Sequence, residues 1–220
     1  MSIETLYILI LVIPLLTAVG VLVCRKNENI RETVTIIGGI SLFLTVLNLA
    51  LSYDFEQTVR FTLLEPFPGL AIAFELEPLG LIFTLVAGFL WPVTSLYAIG
   101  YMRSHHEKNQ TRFYFAFAIS IFATMALALS ANLFTLFIAY ELLTLFTLPL
   151  VTHAGTDAAR KAGWTYLGIL MTTSIGFLLL AIIWTWSITG TLEFTVGGIL
   201  NGKAEPAILG GLLLLFVFGT

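Results

Sequence analysis

The sequence has little charge and almost no cysteine. Only 10% of its 220 residues are charged, and Cys24 is its single cysteine. One thiol excludes an internal disulfide framework and a cysteine cluster for zinc or iron–sulfur. The formal net charge of −3 and the scattered basic residues exclude a basic surface for nucleic acid. Because 58% of the residues are apolar, the composition predicts an integral membrane protein.

Long apolar runs predict the fold class. A helix needs roughly 20 apolar residues to cross ~30 Å of hydrocarbon. Six charge-poor runs reach that length, at about 4–24, 31–53, 78–102, 111–131, 132–152 and 157–189. They are continuously apolar rather than alternating, which favours helices over a β-barrel. We therefore predict an all-α polytopic membrane protein with six complete transmembrane helices.

A seventh apolar run, AILGGLLLLFVFGT, covers residues 207–220. It is too short to span a bilayer. We expect the chain to stop inside this seventh helix, either as a fragment or as half of a unit that is completed elsewhere.

The segment between the second and third runs, residues 54–77, is too polar to span and too alternating to be disordered. VRFTLL and LAIAFEL lie on either side of Pro66, Pro68 and Gly69. Alternating runs around Pro and Gly predict a short β-hairpin.

The basic residues predict the orientation. Eight of the ten lie after the first, third and fifth helices: Arg25, Lys26, Arg31, Arg103, Lys108, Arg112, Arg160 and Lys161. By the positive-inside rule, loops 25–31, 103–112 and 153–161 are cytoplasmic. The amino terminus and the hairpin are then expected outside the cell membrane.

Glu141 is the only Asp, Glu, Lys or Arg between Arg112 and Asp157. It lies about nine residues into the fifth run and so close to the middle of the bilayer. An ionised acid there costs on the order of 3 kcal/mol or more on insertion scales. Intramembrane acids commonly mark ion pathways, so we predict that Glu141 relays protons. The alternative is a structural carboxyl that only fixes helix packing.

Polar residues near Glu141 extend toward the cytoplasmic end of its helix. Tyr140 is adjacent, and Thr144 and Thr147 follow at helical spacing, which indicates a possible polar pathway. Such threonines can instead bond their own backbone carbonyls. Pro92 and Pro149 each remove a backbone donor and predict helix kinks, which are either hydrated points or purely architectural.

Two basic side chains are further candidates for proton translocation. His153 lies twelve residues beyond Glu141, which is ~18 Å along a helix, and a histidine there could pass protons to the cytoplasm. Lys161 opens the sixth run. It either snorkels as a topology anchor or leans inward to keep Glu141 ionised, through water rather than by direct contact.

Three motifs carry a family resemblance: LYAIGYM, ANLFTLFIAYE and TGTLEF. Residues from roughly 70 to 220 resemble the antiporter-like proton-translocating subunits. This family includes the D and A subunits of Mrp-type sodium/proton antiporters and the pumping subunits of respiratory complex I and membrane hydrogenases. The resemblance implies that Glu141 is a proton-channel residue.

The family's two inverted five-helix bundles imply a division of this chain. Residues 1–110 would hold the first three helices and the hairpin, and residues 111–220 the first bundle, truncated at its end. The lysine of the family's broken seventh helix is expected just beyond Thr220. Three positions depart from the family pattern: Glu77 replaces Asp, Tyr140 replaces Trp, and Thr165 replaces a basic residue. Lys161, one turn from Thr165, is a possible substitute.

The resemblance implies a proton-translocating subunit of a multi-subunit Na⁺/H⁺ antiporter. Such a subunit belongs to a transporter rather than to an enzyme. Complex I or a membrane hydrogenase is the alternative context. Two further alternatives are a proton-flow subunit that energises a separate enzyme or inorganic-carbon uptake, and a scaffold without transport. We expect other membrane subunits as partners, and no metal or redox cofactor, because clustered Cys and paired intramembrane His are missing from the sequence.

Overall fold

The computed structural model describes residues 2–54 and 59–220. Its helices are α1 (Ile3–Val23), α2 (Glu28–Ser52), α3 (Pro78–Ser104), α4 (Gln110–Ala128), α5 (Leu133–Val151), α6 (Asp157–Thr173), α7 (Leu180–Thr189) and α8 (Pro206–Gly219). A π-helical turn, Ser174–Leu179, joins α6 to α7. Within the described residues, six helical segments can cross a membrane by length and composition: α1 to α5 and the continuous segment Asp157–Thr189. The six predicted spans are confirmed.

Most helices begin at a residue suited to that place. Ser2, Asn27, Asn132 and Thr156 each accept a hydrogen bond from a backbone N–H in the first turn of α1, α2, α5 and α6. These caps satisfy donors that a helix start leaves free. α3 and α8 instead begin with Pro78 and Pro206, whose missing N–H loses nothing there.

The predicted hairpin is present. Strands β1 (Arg60–Phe67) and β2 (Leu70–Glu75) pair antiparallel. Gly69 has a φ of +80° in the turn, and its N–H donates to Glu65 at 2.7 Å. Residues 55–58 of the predicted segment lie outside the described residues.

Backbone pairing continues from the hairpin into the ends of α4, α5 and α7. The N–H of Ala131 donates to the carbonyl of Ala73 at 3.0 Å, and that of Leu133 to Leu192 at 3.0 Å. Residues 59–77, 129–133 and 190–194 together form what we term the hairpin end. The opposite, basic end consists of the loops 24–27, 105–109 and 152–156.

The main core lies among α1, α2, α3 and α4, where Tyr7, Leu42, Trp91 and Met125 are fully buried. Small residues let these helices approach closely. A Cβ on Gly38 would lie 2.1 Å from Thr17 Oγ1, and a Cβ on Gly39 would lie 3.1 Å from the ring of Pro92. Close approach at small residues is the usual way for membrane helices to associate. Pro92 therefore has a packing contact between α3 and α2.

Candidate functional site

Glu141 lies in the middle of α5. It is eight residues from Leu133 and ten from Val151, so ~12 and ~15 Å of helix lie on its two sides. The side chain is half-buried, and its Oε1 atom is buried without a hydrogen-bond partner among the described residues. Most buried polar atoms in proteins are paired, so an unpaired carboxyl oxygen in a membrane-spanning helix marks Glu141 as a candidate functional residue.

The start of α5 is held by Asn132, whose exposed fraction is 1%. Its Oδ1 accepts from the N–H of Thr135 at 2.8 Å, and its Nδ2 donates to the carbonyl of Ala71 at 2.9 Å and to Glu193 at 3.3 Å. Glu193 in turn pairs with Arg60 of β1 at 2.5 Å. These contacts join α5, the hairpin and the α7–α8 connection, and so fix the depth at which Glu141 lies.

We did not predict Asn132 as a site residue. One signal was available in the sequence. Asn132 precedes an apolar run, and Thr135 follows three residues later, which is typical of a helix start. Its bonds to Ala71 and Glu193 connect residues about 60 positions apart, and local sequence does not show them.

Of the residues predicted for a polar pathway, Thr144 and Thr147 contact each other, and their role in proton transfer stays a prediction. Thr144 is buried, and the hydroxyl of Thr147 donates to its carbonyl at 3.0 Å. The Thr147 hydroxyl also lies 3.3 Å from the hydroxyl of Tyr166 in α6. Because Thr147 uses its one proton on the carbonyl, Tyr166 donates in this pair. Tyr140 points elsewhere, since its hydroxyl donates to the carbonyl of Thr220 at 3.3 Å.

Tyr166 was also missed from the sequence. It follows Thr165, which stands where the family pattern has a basic residue. Thr165 itself is exposed, and its hydroxyl donates to the backbone carbonyl of Lys161 at 3.1 Å. The hydroxyl nearest to α5 therefore comes from the next residue along α6.

Lys161 lies on the wrong face of α6 for a direct contact with Glu141. The whole of α6 is described, and Gly163 is its one fully buried residue, where a Cβ would lie 2.2 Å from Thr152 Cγ2 of the α5 end. Lys161 is two residues earlier, about 200° around the helix, and its side chain is exposed. Among the ion pairs of the described residues, none contains Lys161.

His153 lies in the loop after α5, at the basic end. Its Nε2 is 4.0 Å from Glu107 Oε2, its ring packs edge-on against Phe113, and neither ring nitrogen has a hydrogen bond to the residues that the structure describes. Burial lowers the pKa of His153 from its ordinary value, Glu107 opposes this and Arg112 adds to it. The ring is therefore largely neutral near pH 7 and can accept a proton beside a carboxylate.

Pro149 lies near the end of α5, which stops two residues later at Val151. Its missing N–H leaves the carbonyl of Leu145 without that helical bond. The sequence prediction of a functional kink at Pro92 or Pro149 stays a prediction.

Two further features of the structure were not predicted. Arg31 and Glu32 are almost fully buried at the basic end, where Arg31 donates to Gln110 at 2.6 Å and Glu32 pairs with Arg103. This network ties α2, α3 and α4 together. The π-helical turn interrupts the long sixth span near its middle and buries Ser174. Such turns are frequent at functional sites.

The sequence of this chain is similar to subunits of known membrane complexes. Residues 130–219 match the family described as "NADH:quinone oxidoreductase/Mrp antiporter, TM". The chain is 29% identical over 119 residues to NADH-quinone oxidoreductase subunit N of Campylobacter jejuni, which covers 53% of this chain and 26% of that protein. It is 30% identical over 198 residues to a putative antiporter subunit of Staphylococcus haemolyticus, which covers 87% of this chain and 38% of that protein.

A solved structure shares the fold. The membrane-bound sulfane sulfur reductase, an archaeal respiratory membrane complex, matches with a TM-score of 0.80 and 18% identity over 97% of this chain and 43% of that chain. The chain spans less than half of the length of each of these proteins. These matches confirm the resemblance to the antiporter-like subunits and the membrane fold.

Proposed function

We propose that this chain, which carries the transmembrane region shared by NADH:quinone oxidoreductase and Mrp antiporter subunits, forms the proton-translocating part of an antiporter-like membrane subunit. The observation that carries the proposal is the buried, unpartnered Oε1 of Glu141 in the middle of α5. It lies within residues 130–219, the region that matches the family. A carboxyl that finds no fixed partner can bind and release a proton without first breaking a protein hydrogen bond.

The relay runs from Glu141 toward the basic end. The hydroxyl pair of Thr147 and Tyr166 lies six residues, or ~9 Å, beyond Glu141 along α5. His153 follows after another six residues, beside Glu107. Steps of this length need intervening water, which bridges polar groups nearly as well as a direct bond. Lys161 acts on this relay only through water, because its side chain is exposed on another face.

For the cellular context, we propose exchange of protons for a monovalent cation such as Na⁺, within an assembly of several membrane subunits. The support is the putative antiporter subunit of S. haemolyticus, at 30% identity over 87% of this chain. A pumping subunit of a respiratory or hydrogenase-type complex is the second candidate. The support for it is the 29% identity to an NADH-quinone oxidoreductase subunit.

We further propose that the basic end faces the cytoplasm, because eight of the ten Lys and Arg residues lie in its loops or in the adjoining helix turns. In a Cys24→Ser background, Lys108→Cys should react with an impermeant thiol reagent only from the cytoplasmic side. Glu65→Cys, in the hairpin, should react only from outside. The reverse pattern would contradict the orientation and place His153 at the other end of the pathway.

Substitution of Glu141 tests the function. Glu141→Gln keeps the size of the side chain but cannot ionise, so the assembled complex should no longer exchange protons. Glu141→Asp keeps the acid but withdraws it by one methylene, and we expect partial activity. The measurement is cation exchange driven by a pH gradient in proteoliposomes, followed with a pH-sensitive dye.

The matched control is Glu205→Gln, an exposed acid before α8 whose side chain makes no capping bond. It should exchange at the wild-type rate. Wild-type exchange by Glu141→Gln would make Glu141 a structural acid. An assembled wild-type complex without cation exchange, but with proton flow into a partner enzyme, would favour a coupling subunit, and one without proton flow would favour a scaffold.

A further inference from the structure

A cavity of about 320 Å³ opens at the basic end, between the start of α4, the end of α5 and the start of α6. Its lining includes Arg112, Leu148, Arg160 and Trp164. Two guanidinium groups from different helices thus line one cavity, with an apolar side chain and an indole beside them.

The two arginines are available to an anion. Arg112 donates only to the backbone carbonyls of Thr152 and His153, at 3.4 and 3.3 Å, and has no carboxylate within 4.0 Å among the described residues. Arg160 pairs with Asp157 at 3.2 Å, but the Asp157 side chain is 99% exposed. Exposed pairs of this kind are weak and exchange readily. The site therefore carries at least one uncompensated positive charge.

A second cavity lies further along α6, beside the ridge that carries Arg160 and Trp164. Trp164 lies one turn beyond Arg160 on the same ridge of the helix and is 68% exposed. Gly168 is one turn further, and a Cβ there would contact nothing within 4 Å. This second open cavity has a volume of about 430 Å³ and is lined by Thr165, Gly168, Ile169, Thr172 and Thr173. The hydroxyls of Thr165 and Thr173 donate to backbone carbonyls of α6, which leaves their methyl groups for an apolar chain. The ridge thus presents guanidinium, indole and open groove in that order.

This order matches the layers of one phospholipid leaflet. Arginines bind phosphate oxygens strongly, tryptophans concentrate at the level of the headgroups, and apolar grooves accept acyl chains. Basic pockets between membrane helices are known places for anionic headgroups. A free phosphate or nucleotide would use the arginines but would have no use for the groove at Gly168.

We propose that α4, α5 and α6 bind one anionic phospholipid, with its phosphodiester at Arg112 and Arg160 and one acyl chain in the groove over Gly168. The bound phosphate shares Arg112 with the carbonyls of Thr152 and His153. Lipid binding therefore stabilises the loop between α6 and α5, the helix that carries Glu141.

Counting bound lipid tests the headgroup site. The intact complex, purified in a neutral detergent, is titrated with dioleoyl phosphatidylglycerol, and the bound lipid is measured by native mass spectrometry. Arg112→Gln and Arg160→Gln should each weaken binding about fivefold, and the double variant by tenfold or more. The matched control is Arg25→Gln, an exposed arginine in another loop of the basic end, which should stay within about twofold of wild type.

A second variant tests the acyl groove. Gly168→Leu fills the groove and should weaken phosphatidylglycerol binding about fivefold, by analogy with burying a large apolar side chain. It should leave binding of glycerol phosphate, which has no chain, unchanged. Gly100→Leu is the control, since Gly100 on α3 is likewise exposed with open space at its Cβ. Phosphatidylcholine should bind to wild type at least tenfold more weakly than phosphatidylglycerol.

Several results would overturn the proposal. The double arginine variant could bind phosphatidylglycerol like wild type, or Arg25→Gln could weaken binding equally, which would indicate general surface charge. Inorganic phosphate could bind as tightly as the lipid while Gly168→Leu has no effect, which would indicate a free-anion site. Unchanged lipid binding in Gly168→Leu with loss of the complex's subunits would assign the groove to a helix of another subunit. Each variant's assembly is checked first by size-exclusion chromatography in phosphatidylcholine-containing detergent.

Discussion

The two halves of α5 are built differently. At the hairpin end, the first turn is saturated, because Asn132 and Thr135 bond to each other and to the backbone of β2. Further along α5, the Oε1 of Glu141 finds no hydrogen-bond partner among the described residues, and neither do the ring nitrogens of His153 in the loop after the helix. The same helix is therefore anchored where we assign no chemistry and left unpaired where we propose proton transfer. Removing an anchor should cost stability, whereas removing an unpaired group should cost transport.

Asn132→Ala should give the largest loss of stability. It removes a helix cap, one of the two side-chain donors to the Ala71 carbonyl (the Thr135 hydroxyl is the other) and a donor to the Glu193 carboxylate. The combined loss should be about 2–4 kcal/mol in the free energy of unfolding. Denaturant unfolding in detergent micelles measures it. Asn48→Ala, at an exposed position of α2, should change stability by less than ~0.5 kcal/mol. Equal losses in the two variants would show that the hairpin end is not a special anchor.

Gly163→Ala, at the contact between α5 and α6, should give the next largest loss in the free energy of unfolding. The added methyl group would lie 2.2 Å from Thr152 Cγ2 and 3.2 Å from Leu148 Cδ1, and we expect a loss of about 1–3 kcal/mol. Gly168→Ala, with open space at its Cβ, should instead stabilise α6 by roughly 0.5–1 kcal/mol. The same unfolding measurement applies. A gain at both positions would mean that α5 and α6 are not in tight contact at Gly163.

His153→Gln should have a smaller effect, on how the free energy of unfolding depends on pH. Burial lowers the pKa of His153, so below its ordinary value of 6.5 the unfolded chain binds a proton more readily than the folded one. Stability contributed by the neutral ring is present above pH 6.5 and is lost as pH falls through the folded pKa. The variant should therefore lose less stability between pH 7 and 5 than wild type. Parallel curves would contradict a buried neutral histidine.

Lys161→Ala should have the smallest effect on stability, since the side chain is exposed. Its transport profile decides its role. If Lys161 acts on the relay through water, its removal takes a cation away from the pathway, and the pH optimum of exchange should move upward. Lys203→Ala, an exposed lysine in the α7–α8 connection, is the control. An unchanged profile would leave Lys161 as a topology anchor only.

Features that depend on short stretches of sequence were predictable. Apolar run length predicted the spans, and alternation around Pro66, Pro68 and Gly69 predicted the hairpin, because both patterns depend on local geometry. Glu141 was found because it is the lone charge in its span.

Features that depend on how elements meet were not predictable in the same way. The face of α6 that contacts α5 is set by Gly163, so Tyr166 lies near Thr147 while Lys161 points away. Arg31 was read only as part of a basic loop and Glu32 was not considered, whereas Arg31 is buried against Gln110 of α4 and Glu32 against Arg103 of α3. Nothing in the composition of residues 174–179 indicated a π-helical turn.

Infrared difference spectroscopy tests the central claim, that Glu141 binds and releases a proton, most directly. Spectra of the assembled complex in membranes are recorded between high and low pH, in water and in deuterium oxide. Acidification of wild type and of Glu205→Gln should produce the carbonyl bands of protonated carboxylic acids, shifted in deuterium oxide, and one of those bands should be missing in Glu141→Gln. If Glu141→Gln gives the same difference spectrum as wild type, Glu141 does not exchange protons and the proposed relay is wrong.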